Sequence, residues 1–542
     1  MTRSSVDQEG AAPHARHAGG PGMGGETEGG RSDHRRDRGH KRRAEPGPPR
    51  PKRRILRWSA LTLAVVILGT AGAGYLYYEH LNANIQKDKL NLGDSDVPKA
   101  TPNAAGQTPL NVLLIGSDSR NTAQDLKLGG SKADVGRPPL ADVQMLVHVS
   151  ADRTNMSVVS LPRDTMIPIP RCTDPHTGHK YPALSLAMAN ESLGRGGPGC
   201  TVATWQKLTD IHIDHFMMVD FSGVVDMADA IGGVPVCVKQ NVWSHTSDGH
   251  GSGLKLKAGT TYVKGQQALQ WLRTRYGFED GTDLGRTHAQ HMYMSAMVRQ
   301  MRKNATLTNP GAMRSLAETA TKALKVDEGL GTIAKLYDLS EEFKKVPTKR
   351  ITMTTLPTVQ WSQDHDRLVP APEDAEQLMS MVRDDTALDG RGAKPKATEA
   401  AAKTATDPDG KISVQVRNGT GSDTEAPAPQ RASAVAGILQ GKGFTQAAAD
   451  TTPATEAKTT VLYPSADLEG DAQAVAKALG IPLKQVRKST DVSGVTLLVG
   501  ADWRTGTAYK APAQPTKAPS TAAVLNGDKK DACMPVQPGF TW

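Results

Sequence analysis

From Trp58 to Tyr78 the chain runs 21 residues without a charge: WSALTLAVVILGTAGAGYLYY. At 1.5 Å rise per residue such a helix covers about 31 Å, enough to cross the hydrocarbon core of a bilayer. Trp58 marks one interface, and Tyr75, Tyr77 and Tyr78 mark the other. Lys52, Arg53, Arg54 and Arg57 flank the N-terminal side. The positive-inside rule therefore predicts residues 1–57 in the cytoplasm and everything after Tyr78 outside. A cleaved signal peptide, with Ala71-Gly72-Ala73 as the cleavage site, is the competing reading, but the span is long for an h-region. The expectation is an uncleaved, single-pass anchor in the cell membrane.

The formal charge of +9 has the look of a nucleic-acid binder, but its location argues otherwise. Residues 1–57 carry +7 of it and the rest of the chain only +2. That tail, rich in Gly, Arg, Pro and His, reads as disordered and suited to anionic lipid headgroups. No nucleic acid is expected as a partner, since no binding fold accompanies the charge. The four cysteines, Cys172, Cys200, Cys237 and Cys533, fit an oxidising exterior. Cys172 and Cys200 bracket a loop that a bridge would staple to itself, and a Cys237–Cys533 bridge would tie the C-terminal tail back. No C-x-x-C spacing occurs, so a zinc site is not expected. His245 and His250 read as solvated loop residues.

Domain organisation follows from composition. Residues 79–108 are polar and turn-rich, a stalk. An α/β domain, predicted over 109–390, begins with the apolar run Leu110–Ile115. Further strands are predicted at Gln144–Val149 and Met156–Ser160, and helices at 201–209, 222–231, 265–271 and 287–303. Residues 304–385 read as mostly helical with turns. After an Ala/Lys/Thr/Pro-rich linker (391–410) comes a small α/β module over 411–503. Its expected order is strand Ile412–Val416, helix 430–440, strand Thr459–Tyr463, helix 470–479 and strand Gly494–Gly500. Residues 504–542 read as linker and tail.

Charged residues gather at the predicted strand ends. Arg273-Thr-Arg275 precedes Asp283-Leu-Gly-Arg286. Read as a strand, the first element points both guanidiniums to one face. Such forks suit the oxygens of a pyrophosphate. A solvated edge strand followed by a charged turn is the bland alternative.

Span 109–303 resembles the catalytic domain of the LytR-CpsA-Psr family of membrane-anchored cell-wall proteins. The resemblance rests on ordered segments. They are Asn111-Val-Leu-Leu-Ile-Gly-Ser-Asp118-Ser-Arg120, Ala141-Asp142, Ser160-Leu-Pro-Arg163-Asp164, Ile213-Asp-His-Phe216, Val219-Asp-Phe221, Ile231-Gly-Gly-Val234, Gly265-Gln-Gln-Ala-Leu269 and the two arginine elements. Residues 411–503 are similar to the small C-terminal domain many such proteins carry. Leu140 and Val143 stand where the family usually has Arg and Thr, and Ala289-Gln290-His291 where it often has Arg-Gln-Gln.

The resemblance implies a transferase that moves a glycopolymer from a polyprenyl pyrophosphate lipid to a peptidoglycan hydroxyl through a phosphodiester. It implies an α/β fold with a central mixed sheet. Asp118 and Asp142 would hold Mg²⁺ (or Mn²⁺), with further oxygens from the substrate. Arg120, Arg163, Arg273, Arg275 and Arg286 would bind phosphate and neutralise developing charge. Asp283 would orient an arginine or take the acceptor's proton. Apolar side chains near 222–231 and 291–301 would line a lipid tunnel. Two other readings fit the same residues: a pyrophosphatase or phosphodiesterase in which water attacks, and a non-enzymatic scaffold or regulator of the envelope.

Overall fold

The computed structural model describes residues 52–542, except 94, 96, 101, 104, 119–135, 250, 305–309, 392–402, 422–424, 490, 512–514 and 528–532. Arg120, His250 and the basic tail through residue 51 therefore lie outside the described residues. The chain divides into Met1–Thr70 and Ala71–Trp542. The described part of the first unit is helix alone. It belongs to α1 (Lys52–Asn84), whose stretch Arg54–Asn84 is long and apolar enough to cross a membrane. Its large apolar side chains from Ile55 to Leu76 are exposed, as a lipid-facing helix requires.

In the second unit the end of α1 is already part of the fold. Leu81 is buried, and the Asn82 side-chain carbonyl accepts the Ile333 backbone N–H at 2.9 Å. The residues expected as a stalk are thus partly built in. The strand β1 (Gln86–Asp88) pairs in parallel with β6 (Leu324–Asp327) at one edge of the main sheet.

That sheet is mixed and has eight strands among the described residues. Between the edges lie β2 (Leu110–Ser117), β3 (Ala141–Val149), β4 (Met156–Ser160), β5 (His215–Asp220) and β7 (Ile351–Thr355). The order is β1-β6-β5-β2-β3-β4-β7, closed by the strand Leu525–Asn526. The centre is a β5-β2 parallel pair flanked by the antiparallel β2-β3-β4 ladder. Period-two alternation buries the sheet on both faces. Leu113, Ile115, Leu146 and Val159 pack in one cluster with Trp205 and Leu378, from α2 (Pro198–Thr209) and α8 (Pro372–Arg383). Val112, Val147 and Val158 pack in another with Leu339 and Val346, at α7 (Ile333–Lys345). A third cluster joins the Val234–Val238/Gly259–Val263 hairpin to α3 (Phe221–Ala230), α4 (Gly265–Arg273) and α5 (Asp283–Asn304).

Two readings need correction. Residues 304–385 hold helices, including α6 (Pro310–Ala323), but also β6, β7 and the hairpin Thr358–Trp361/Asp364–Pro370. β7, Ile-Thr-Met-Thr-Thr, does alternate apolar and polar residues, but over only five positions, and its threonines Thr352 and Thr354 are buried along with Ile351 and Met353. Arg273-Thr-Arg275 is not a strand. Arg273 is the last residue of α4, and Thr274 leaves the helix with extended backbone.

The small module follows the expected order with two additional strands. Its sheet runs β9 (Ala447–Asp450), β8 (Val414–Asn418), β12 (Val495–Val499), β10 (Thr460–Tyr463), β11 (Val486–Lys488). Helices α9 (Arg431–Gly441) and α10 (Glu469–Leu479) pack on it. Both Cys172–Cys200 and Cys237–Cys533 are bridged.

Candidate active site

β2 and β5 are parallel, so their carboxyl ends lie side by side, and β3 begins beside them. Ligands of α/β sheets collect at such ends. Here a cleft of about 640 Å³ opens between these strand ends and α3, α4 and α5. Its wall includes Asp142, Arg163, Arg273, Arg275 and Arg286, all five selected from sequence. Asp220, Gln290 and Tyr276 also line it and were not selected as site residues. The motif Val219-Asp-Phe221 held the signal for the first of these.

Local backbone chemistry sets each group. Gly116 lets β2 close on β3 at the cleft, because an added Cβ would stand 2.8 Å from that of Val143. Asp220 caps α3, its Oδ1 accepting from Gly223 N–H and Ser222 O–H. Phe221 and Val224 of α3, with Leu269 and Leu272 of α4, give the cleft an apolar side. Val224 is the one lining residue from the stretch 222–231. In the 291–301 stretch, by contrast, Tyr293, Ala296 and Met297 are core residues.

The charges form a linked set. Arg163 Nη1 donates to Asp142 Oδ1 at 3.0 Å, and Arg163 Nε lies 3.6 Å from Asp164 Oδ2. Burial works against the Arg163 charge, but Asp142, Asp164 and Asp283 outweigh it and hold the guanidinium above its ordinary pKa. Arg286 is 9% exposed and pairs with Asp283 one turn earlier on α5. Burial, reinforced by Arg163, lowers its pKa against the opposing pull of Asp283. It remains a cation at any working pH. Its Nε is buried without a hydrogen-bond partner, as is that of Arg163 by the same criterion. Arg273 lies over the Phe221 ring, 5.7 Å from its centroid, and Arg275 lies 6.0 Å from that of Tyr276. Four guanidiniums against the carboxylates of Asp142 and Asp220 make the cleft net positive.

Asp283 lies behind Arg286 and outside the cleft's lining, which favours the orienting role over the proton-accepting one. Asp118 is likewise not a lining residue. Its carboxylate accepts the Leu140 N–H at 2.7 Å, and its own N–H donates to Leu140 O at 3.0 Å. Position 140, where the family's usual arginine is absent, thus serves the strand turn through its backbone. Ala289 is fully buried, and its carbonyl accepts the Trp271 indole N–H at 3.0 Å. His291 is buried beneath the site, its Nε2 2.8 Å from Ser160 Oγ. Burial, with His288 nearby, pushes its pKa down to about 3.

Among the described residues no three His, Cys, Asp or Glu side chains converge as a metal cage. Asp118 and Asp142 do stand at the same end of the β2–β3 hairpin. Two carboxylates suit a hard cation that takes its remaining oxygens from a phosphate substrate and water.

The LytR_cpsA_psr family model matches residues 75–387. A second, described as LytR cell envelope-related transcriptional attenuator, matches residues 411–503. The cell wall biosynthesis protein LcpA of Corynebacterium glutamicum is 28% identical over 56% of this chain and 60% of its own length. The polyisoprenyl-teichoic acid–peptidoglycan teichoic acid transferase TagT of Bacillus subtilis is 26% identical over 56% of this chain and 87% of its own. Among solved structures, a LytR-Csp2A-Psr enzyme from Actinomyces oris aligns with 20% identity and a TM-score of 0.40, covering 55% of this chain and 96% of that one. With the matched segment spanning more than half of its length, the chain belongs to the LytR-CpsA-Psr family.

Proposed function

We propose that this protein transfers a glycopolymer from a polyprenyl pyrophosphate carrier to peptidoglycan, forming a phosphodiester. The observation that carries the reading is the positive cleft itself. Arg163, Arg273, Arg275 and Arg286 all stand on its wall, four guanidiniums from separate parts of the chain gathered on one cavity. Guanidinium forks match phosphate oxygens two at a time and keep their charge at any working pH. The TagT relative is named as a teichoic acid transferase to peptidoglycan, which is consistent with this reading.

An acceptor hydroxyl attacks the phosphorus that bears the polymer. The new P–O bond forms as the bond to the lipid phosphate breaks, and the lipid monophosphate leaves with its electron pair. Arg163, Arg273, Arg275 and Arg286 neutralise the diphosphate and the charge growing on the leaving phosphate. Asp283 fixes the Arg286 fork. Asp220, on the cleft wall, takes the hydroxyl proton. The apolar side formed by Phe221, Val224, Leu269 and Leu272 receives the first part of the polyprenyl chain. Mg²⁺ or Mn²⁺, held by Asp118 and Asp142, would supply further neutralisation of the diphosphate. The α1 helix anchors the protein in the cell membrane, with the positively flanked end inside and the catalytic domain outside.

The test is transfer of a labelled polymer from a synthetic polyprenyl diphosphate donor to a peptidoglycan oligosaccharide by the purified full-length protein. The expected product carries label on the oligosaccharide with lipid monophosphate released. Release of lipid monophosphate and free polymer phosphate, with no labelled oligosaccharide, would show that water is the acceptor and refute the transfer.

A further inference from the structure

Aromatic residues make up only 4% of this chain, and the largest fully buried side chains include Trp205, Trp271, Tyr293 and Phe278. Three others stay on the surface beside the cleft: Trp243, Tyr276 and Trp542 are 41%, 39% and 47% exposed. They are ordered by one another. Trp243, in the short hairpin Val242–Trp243/Lys255–Leu256, stacks on His245 with centroids 4.8 Å apart and planes 12° apart. Lys255 Nζ lies 4.7 Å from the Trp243 ring centroid and 4.4 Å from that of Trp542, so one ammonium links both indoles. Tyr276, a cleft residue, stacks on Phe540 at 6.4 Å.

The backbone fixes this arrangement. Trp243 N–H donates to Phe540 O at 2.8 Å, and the Trp542 indole N–H donates to Val242 O at 3.2 Å. Gly277, at φ +112°, is the close-approach point: a Cβ there would stand 3.2 Å from Val242 Cγ2 and 3.7 Å from Phe540 Cβ. The Cys237–Cys533 bridge and the Met534 pairing with Val238 and Lys239 lock the tail segment in place. Large rings held rigid yet left exposed have the makings of a binding surface, because they offer contact area at little cost in side-chain entropy.

We propose that Trp243, Lys255, Tyr276, Phe540 and Trp542 form a platform for the glycan strand of the acceptor, leading it to the cleft. The proposal rests on the reading that peptidoglycan is the acceptor. A pyranose presents a flat patch of C–H bonds whose weakly positive hydrogens suit aromatic surface; the Trp243 ring already carries His245 and Lys255, so it offers its remaining exposed area, and Trp542 is the more exposed indole. The sugar's hydroxyls and N-acetyl groups stay in water or accept from Lys255. Tyr276 belongs to both surfaces, so a strand lying on the indoles continues into the arginine cleft. That continuity suits an extended strand, which lies on the rings and reaches the cleft at once, whereas the donor's diphosphate and lipid chain need only the cleft and its apolar side.

The experiment uses the full-length protein in detergent micelles and a soluble peptidoglycan tetrasaccharide as probe. Trp243→Ala, Trp542→Ala and the double variant are compared with Trp243→Phe and Trp542→Phe. The double alanine variant is expected to weaken tetrasaccharide binding roughly tenfold and to raise the acceptor KM equally. Its kcat and donor KM should stay unchanged, and the phenylalanine variants should regain most of the loss. Should Trp243→Ala fail to fold, Trp542→Ala, with an unchanged melting temperature, carries the test alone. Wild-type acceptor KM in the alanine variants, with transfer to peptidoglycan intact in the parent, overturns the platform and leaves the transfer reading standing. A loss seen in liposome flotation and not in glycan binding also overturns it. A parent that neither binds the tetrasaccharide nor transfers to it overturns both.

Discussion

His291 gives the fold a measurable dependence on pH. The imidazole is fully buried, and burial pushes its pKa from 6.5 down to about 3. The sign follows from which state takes the proton. Above pH 6.5 the side chain is neutral in folded and unfolded chains alike and contributes nothing. Below pH 6.5 the unfolded chain binds a proton that the folded chain refuses until about pH 3. Stability is therefore present above the ordinary histidine pKa and lost as pH falls through that window, by about 1.4 kcal/mol per unit. At pH 5 the loss is about 2 kcal/mol, and it levels off at roughly 4–5 kcal/mol below pH 3. His291→Gln places there a side chain that cannot titrate but can still hydrogen-bond Ser160. The assay is guanidinium unfolding of parent and variant at pH 7.5 and pH 5.0 with disulfides intact. Taking the difference between the two pH values removes any packing cost of the substitution. The parent should lose about 2 kcal/mol more than the variant between these conditions. Equal pH dependence in the two proteins would refute the argument that a buried, neutral imidazole sits beneath the site.

Arg273→Lys and Arg275→Lys should each slow transfer about ten- to a hundredfold, because lysine keeps the charge and loses the planar fork; this is read in the labelled-polymer assay, and near-normal rates in both would remove these residues from the diphosphate grip. Asp142→Ala should abolish transfer with the fold retained, checked by near-normal circular dichroism and by Mg²⁺ titration in the presence of a soluble lipid-diphosphate analogue; unchanged metal-dependent binding would take Asp142 out of the cation site. Replacing Cys172 and Cys200 by Ser opens a 28-residue loop and should cost roughly 3–4 kcal/mol of stability, measured by denaturant unfolding, with an unchanged midpoint counting against the bridge as a structural element.

The parts of the fold most legible in sequence were those with local signals. Leu110–Ile115 and Met156–Ser160 stood out as short apolar runs beside polar turns, and both are central strands. α4 and α5 could be placed because their apolar residues recur at helical spacing. What could not be read locally came from pairing across distance. The strand Leu525–Asn526 is only two residues long and exists through its antiparallel pairing with β7, far away in sequence. The same limit applied to the cleft. Its arginines were visible as charges near strand ends, but the conformation around Arg273 and Arg275 was not, since a basic pair one residue apart fits a strand as well as a helix end. Asp220 was hidden behind its capping role, which any aspartate before a helix performs.

The Cys237–Cys533 bridge closes a covalent ring that contains the entire small module. Residues 391–410 form one arm of that ring, and the tail after residue 503 forms the other. A protease that cuts the first arm therefore nicks the chain without freeing anything. The piece bearing Cys237 and the piece bearing Cys533 stay joined and migrate as one band until reduced. Releasing the module through that arm takes two chemically distinct events, one hydrolytic and one reductive.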